Sequence, residues 1–310
     1  MNIQKNVQIA NLAWNTAADI YLPPDFDETK QYPAIVSTHP IGSCKEQTSG
    51  HVYANALADA GFVVAAFDAS FQGASGGVPR FIEDPGLRVS DIRFVIDHLV
   101  ALPYVDANRI GAIGVCGGGG YTVHAAMTDR RIKALASITG VNFGRLMREG
   151  FSQFNPVAAL DAMATQRTAE AHGAARHVID YLPPSVAQAQ AAGVTDIDVL
   201  GATDYYKTPR AQQPNGATSG LLSFNSAAMA WDAFAHAEVL LTQPLMVVVG
   251  DQPGGFGAYR DGLEIHGRAA SKVKELVVAP GWNHYDLYDR PEPVALALAQ
   301  LVPFFQTHLG

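Results

Sequence analysis

The chain has 310 residues, 48% of them hydrophobic and 16% charged, enough for one large domain with an insertion or for two small ones. A net charge of −8, with no Lys/Arg cluster, supplies no basic field, so neither nucleic acid nor an anionic membrane surface is an expected partner. No apolar run has the length of a membrane span, the N-terminus MNIQKNVQIANLAWN lacks a signal-peptide pattern, and there are only two cysteines; the expectation is a cytoplasmic protein with two free thiols.

In chain order, residues 4–22 alternate weakly and predict antiparallel strands at a sheet edge. Residues 33–38 (PAIVST) form a compact apolar run ending at His39-Pro40. Residues 46–60 have helical spacing, with Gly61 as the stop. Residues 62–67 (FVVAAF) predict a buried strand. Residues 90–101 predict an amphipathic helix through Ile92, Val95, Ile96 and Leu99, with Ser90 as its N-cap. The strand 110–115 runs straight into Cys116, a helix is expected over 117–127, and another strand over 132–138. Such alternation of continuous apolar strands with helices implies βαβ units and a mostly parallel sheet covered on both faces.

Residues 142–235 break this rhythm. They are rich in Ala, Gln and polar residues, with helical stretches at 145–150, 157–178 and 184–191 and a turn-rich piece through 220. They predict an inserted helical cap, the core being 1–141 and 236–310. The βα pattern returns with a strand at 244–249, a helix around 258–270, a strand at 275–279 and a last helix from about 293, which Pro303 should kink or shorten.

The strongest local signal is a strand, then Gly114-Val115-Cys116-Gly117-Gly118, then a helix. This is the cysteine version of the nucleophile elbow of the α/β-hydrolase fold. A turn so tight leaves no room for side chains two residues either side of the nucleophile. The helix N-terminus aimed at the sulfur should lower the thiol pKa and give an oxyanion donor at Gly117. The alternative is a buried core cysteine beside a glycine run. The fold orders its partners as nucleophile, acid, base. His284, after strand 275–279, occupies the base position; His39, His51, His98 and His124 fit less well. Asp251 follows strand 244–249 and is the candidate acid, although Pro253 stands where the acid is usual; Asp286 is the second candidate. The loop after strand 33–38 should donate the other oxyanion N–H, from Ile41. Cys44 shares that loop and reads as an inert thiol, a reversible disulfide with Cys116 being the alternative. No HExxH, CxxC or Gly-Lys-Ser/Thr motif is present, so no metal, nucleotide or other cofactor is expected.

Taken together, His39-Pro40, Lys45-Glu46-Gln47-Thr48, Ala66-Phe67-Asp68, Gln72-Gly73, Ser75-Gly76, Arg109-Ile110-Gly111, Val115-Cys116-Gly117-Gly118, Arg131-Ile132-Lys133-Ala134, Asp204-Tyr205-Tyr206, Thr208-Pro209-Arg210 and His284-Tyr285-Asp286-Leu287-Tyr288-Asp289 make the chain similar to the dienelactone-hydrolase-like branch of the α/β-hydrolases, and within it to the polyketide-transferase-like group. The resemblance covers nearly the whole chain. It implies a Cys116 nucleophile, a His284 base, an oxyanion loop after His39, and acyl chemistry on a small ester, lactone or thioester. An acidic residue just after Gly250 is usual in that group and favours Asp251. Ile41, Cys44 and Gly254-Gly255 depart from its pattern and bear on the shape of the pocket mouth. His39, Tyr205, Tyr206 and Arg210 are the expected pocket residues, with Arg210 able to bind a carboxylate or to serve as a structural ion pair. The expected partner is a small-molecule acyl substrate, with a homodimer left open. Acyl transfer through the same Cys116–His284 pair is the alternative activity, and a binding protein on a decayed hydrolase scaffold is the alternative class.

Overall fold

The computed structural model describes residues 2–150 and 154–310; residues 151–153, inside the expected cap, lie outside it. Strands β1 (Asn2–Ala10) and β2 (Asn15–Leu22) form an antiparallel hairpin at the sheet edge. After β3 (Tyr32–Thr38) the chain makes a π-helical turn, Thr48–Ala54, that runs into the short helix α1 (Asn55–Asp59), then β4 (Val63–Phe67). Helix α2 (Pro85–Ala101) starts five residues earlier than its apolar periodicity shows. Asp84, not Ser90, is the N-cap and accepts from Leu87 N–H, and Pro85 occupies the first turn where its missing N–H costs nothing. Then come β5 (Val105–Val115), α3 (Gly117–Thr128) and β6 (Ile132–Ile138).

Between β6 and the next sheet strand the chain makes an excursion: α4 (Phe143–Glu149), α5 (Pro156–Ala171), β7 (Val178–Asp180), α6 (Val186–Ala191), α7 (Ile197–Lys207), β8 (Ser219–Leu221), α8 (Ser226–Met229) and α9 (Ala237–Leu240). The helix expected over 157–178 stops at Ala171, and β7 pairs with β8 as a small antiparallel ribbon that periodicity did not reveal. Helix α7 lies inside the stretch that reads as turn-rich; Asp196 caps it by accepting from Asp198 N–H and Val199 N–H. The sheet resumes with β9 (Leu245–Gln252), α10 (Ala258–Arg268) and β10 (Lys274–Asn283), and the chain closes with α11 (Asp286–Asp289) and α12 (Pro291–Leu309). Pro303 lies inside α12 without ending it.

The eight main strands are ordered β1-β2-β4-β3-β5-β6-β9-β10, parallel from β4 onward. Side chains alternate between two buried layers. Leu245, Val247 and Val249 of β9 pack with α2 and α3 residues such as Ile92 and Tyr121, while Met246 and Val248 pack with Leu57, Leu301 and Phe305 on the opposite face. Each such side chain, fully withdrawn from water, contributes about 1.5–3 kcal/mol. This is the α/β-hydrolase fold expected from the strand–helix alternation. Two buried faces fix the register of the central strands, and with it the height at which β5, β9 and β10 end.

Candidate active site

Cys116 caps the N-terminus of α3 at φ 56° and ψ −126°, a conformation costing about 1–3 kcal/mol that tertiary contacts must over-determine. Its N–H donates to Ile138 O at 3.0 Å, and its carbonyl accepts from Gly119 N–H and Val141 N–H at 2.9 Å each. The glycines are sterically required. A Cβ on Gly114 would lie 2.2 Å from Gly118 O, and one on Gly118 would lie 2.3 Å from Thr38 O.

The backbone N–H groups of Gly117 and Ile41 and the Tyr288 hydroxyl lie against the sulfur, and each favours the thiolate. The loop carrying Ile41 is anchored from behind. His39 is fully buried; its Nδ1–H donates to Pro40 O at 2.6 Å, and its Nε2 accepts from Ala69 N–H at 3.0 Å. Arg88 donates to His39 O and pairs with the buried Glu83, which also accepts from Tyr121 and Gln72. Burial and the Arg88 charge hold His39 neutral. His39 thus braces the loop that carries Ile41 and does not line the cavity above Cys116, contrary to expectation.

Burial outweighs the N–H groups at the sulfur and pushes the Cys116 thiol up to about 11. The expectation of a thiol pKa lowered by the helix dipole is therefore corrected: at rest the group is a thiol. His284 follows β10, buried, with its ring stacked 4.7 Å from Tyr285. Burial pushes it down to about 3. Its Nε2 lies 3.2 Å from the Tyr288 hydroxyl, so the connection from sulfur to imidazole runs through Tyr288. Neither β-propensity nor spacing singled out Tyr288; its place four residues after His284, one turn on, was the available signal.

Among the described residues, His284 Nδ1 has no hydrogen-bond partner. Asp251 lies on the end of β9, and its carboxylate accepts from Gly281 N–H at 2.6 Å. Asp286 accepts from Asn283 N–H at 3.0 Å. Each accepts a backbone N–H of the β10 end through one oxygen, and neither is hydrogen-bonded to His284 Nδ1. A third carboxylate, Asp198 on α7, is almost fully buried, and one of its oxygens accepts from Phe256 N–H at 2.9 Å while the other is unpartnered. Sequence reading missed it because α7 itself was not recognised.

Above Cys116 lies a cavity of about 270 Å³ with an almost wholly apolar lining, including Ile41, Phe143, Leu146, Met147, Tyr206 and Phe256. Of the expected pocket residues, Tyr206 lines it. Tyr205 is buried edge-on against Tyr206 and Tyr288. Arg210 is engaged by Asp289 and Asp204 and donates to Tyr285 O, so it braces the base loop rather than binding a substrate carboxylate.

Both cysteines are free. Cys44 is buried beside Asp68 and Glu46, and burial and those charges raise its pKa. Cys44, Glu46 and Asp68 form the one cluster of metal-ligand type among the described residues. The Lys45 ammonium already pairs with Glu46, Asp68 and Asp19 there, supplying the charge that a cation would. Among the described residues, no helix is long and apolar enough to cross a membrane.

No protein-family model matches the chain. It is 42% identical over 299 residues to the Escherichia coli protein YcjY, covering 94% of each. It is 32% identical over 302 residues to the Pseudomonas aeruginosa protein PA2218, covering 94% of this chain and 77% of that one. The crystal structure of PA2218 superposes with a TM-score of 0.88 over 99% of this chain and 94% of that one. The α/β-hydrolase GrgF from Penicillium shares the fold at a TM-score of 0.77 and 16% identity, covering 100% of this chain and 99% of that one.

Proposed function

The chain belongs to one protein family with YcjY and PA2218, and from that premise we propose that it is an acyl hydrolase, cleaving a small ester, lactone or thioester through a Cys116 acyl-enzyme. The observation that carries this reading is Cys116 held at φ 56° beneath two backbone N–H groups, at the floor of an apolar cavity.

The steps balance as follows. Cys116 Sγ attacks the acyl carbonyl carbon. The thiol proton moves to the Tyr288 oxygen while the Tyr288 proton moves to His284 Nε2. The Gly117 and Ile41 N–H groups receive the oxyanion, each such donor being worth about 3–4 kcal/mol to the transition state. Collapse expels the alcohol or thiol, which takes the proton back along the same route. Water, deprotonated by His284, then releases the acid and restores the thiol.

Cys116→Ala should lower hydrolysis of p-nitrophenyl butyrate by at least about 1000-fold without lowering the melting temperature. A wild-type mass increment of one butyryl group on Cys116 supports the intermediate. Undiminished turnover by the alanine variant would sink the proposal. The same apolar cavity supports transfer to an alcohol as a second reading. Product analysis with added butanol separates the two: butyl ester in preference to butyric acid favours the transferase.

A further inference from the structure

We propose that Asp198, carried by helix α7 of the excursion between β6 and β9, is the carboxylate that holds His284 by accepting from its Nδ1–H; this rests on the acyl-transfer reading above. The base would then be completed by a segment outside the main sheet, and neither Asp251 nor Asp286 would take that part.

The argument begins with two unsatisfied groups. An unpaired polar atom taken out of water costs roughly 1–3 kcal/mol, so each such atom in a folded protein calls for an explanation. His284 Nδ1 and one Asp198 oxygen are both buried and both unpartnered. The two residues line the same cavity, of about 10 Å³, no larger than a single water molecule. Thr139 Oγ1, also unpartnered, lines it too. The walls are the β9 end and its loop, from Gly250 to Gly254. Gly254 lets this loop close on the carboxylate: a Cβ there would lie 2.3 Å from Asp198 Cγ. The other carboxylate oxygen is pinned by Phe256 N–H, and Asp198 N–H is pinned by the Asp196 cap, so the orphaned oxygen has a defined direction.

The electrostatics agree with this placement. Burial pushes Asp198 up to about 7 and His284 down to about 3. Each alone resists the charge it must carry during turnover. An imidazolium facing an ionised Asp198 gives both groups a counter-charge, as in a hydrolase triad where the acid keeps its charge and takes no proton. The titratable groups facing Asp198 are Asp196 on its own cap, His284 and Tyr285 on the base loop, Tyr259 of α10 across the same cavity, and Cys116, whose ionisation it opposes. The arrangement also settles the tautomer: Nδ1 carries the proton, which leaves Nε2 free to accept from Tyr288.

The test is steady-state hydrolysis of p-nitrophenyl butyrate by full-length wild type, Asp198→Asn, Asp251→Asn and Cys116→Ala. Asp198→Asn should lower kcat at least about 100-fold, leave KM within about threefold, and move the acidic limb of the pH–rate profile to lower pH. Asp251→Asn should stay within about twofold of wild type. A purely structural role for Asp198 would not move the acidic limb. Wild-type kcat in Asp198→Asn, with Cys116→Ala inactive, overturns this assignment alone; an active Cys116→Ala overturns the reading beneath it as well. If Asp198→Asn does not fold, 15N-histidine NMR of the wild type decides. A slowly exchanging proton on His284 Nδ1 supports the assignment, and protonation at Nε2 overturns it.

Discussion

The two halves of the site are built in opposite ways. On the nucleophile side, Cys116 sits in a strained conformation whose backbone bonds are all made, and the neighbouring Ile41 loop is anchored through His39, Arg88 and Glu83. On the base side, His284, Asp198 and Thr139 each leave a buried polar atom unpartnered, and the ring reaches the sulfur through Tyr288. The first half is set by steric necessity within a few residues of chain. The second is assembled from α7, the end of β9, the turn after β10 and Thr139 just past β6, whose residues line one small cavity. On one side the cost is stored in backbone torsion, on the other in desolvated side chains.

This contrast can be broken by experiment. The largest expected effect concerns the resting thiol. With Cys116 pushed up to about 11, iodoacetamide should alkylate it at pH 8 at least about 100-fold more slowly than the same residue in the unfolded chain, the rate climbing steeply with pH above 9. A rate that saturates below pH 9 would show a thiolate at rest and would make the base side dispensable for the first step. Tyr288→Phe comes next. Removing the hydroxyl between His284 Nε2 and the sulfur should lower kcat about 10- to 100-fold with little change in KM. A fully active variant would mean that His284 reaches Cys116 directly during turnover. The smallest effect is expected at Arg210. Arg210→Ala should lower the melting temperature by releasing Asp289, Asp204 and Tyr285 O, while leaving the ratio of kcat/KM for neutral and carboxylate-bearing acyl esters within about twofold. A selective loss on the carboxylate-bearing ester would return Arg210 to the pocket.

The fit between sequence and structure follows the same division. Helix α2 was legible from its helical apolar period, although capping by Asp84 moved its start, and strands β4, β5, β6 and β9 from their short continuous apolar runs. The excursion between β6 and β9 was harder to read. Helix α5 is mostly exposed and α7 has little apolar periodicity; tertiary contacts hold α7, through Tyr205 and Tyr206 buried against Tyr285 and Tyr288, the cap at Asp196 and bonds to the β9 loop.

By itself, then, the sequence determined the parallel sheet, the elbow at Cys116 and the positions of His284 and the Ile41 loop in chain order, because periodicity and the exclusion of a Cβ at Gly114 and Gly118 are local constraints. Only the tertiary structure decided which carboxylates are already spent on backbone N–H groups, that Arg210 braces the base loop, and that Tyr288 stands between sulfur and imidazole. Those relations join residues as far apart in the chain as Cys116 and Tyr288, and whether a buried polar atom has a partner depends on where distant chain segments come to rest, which no local pattern records.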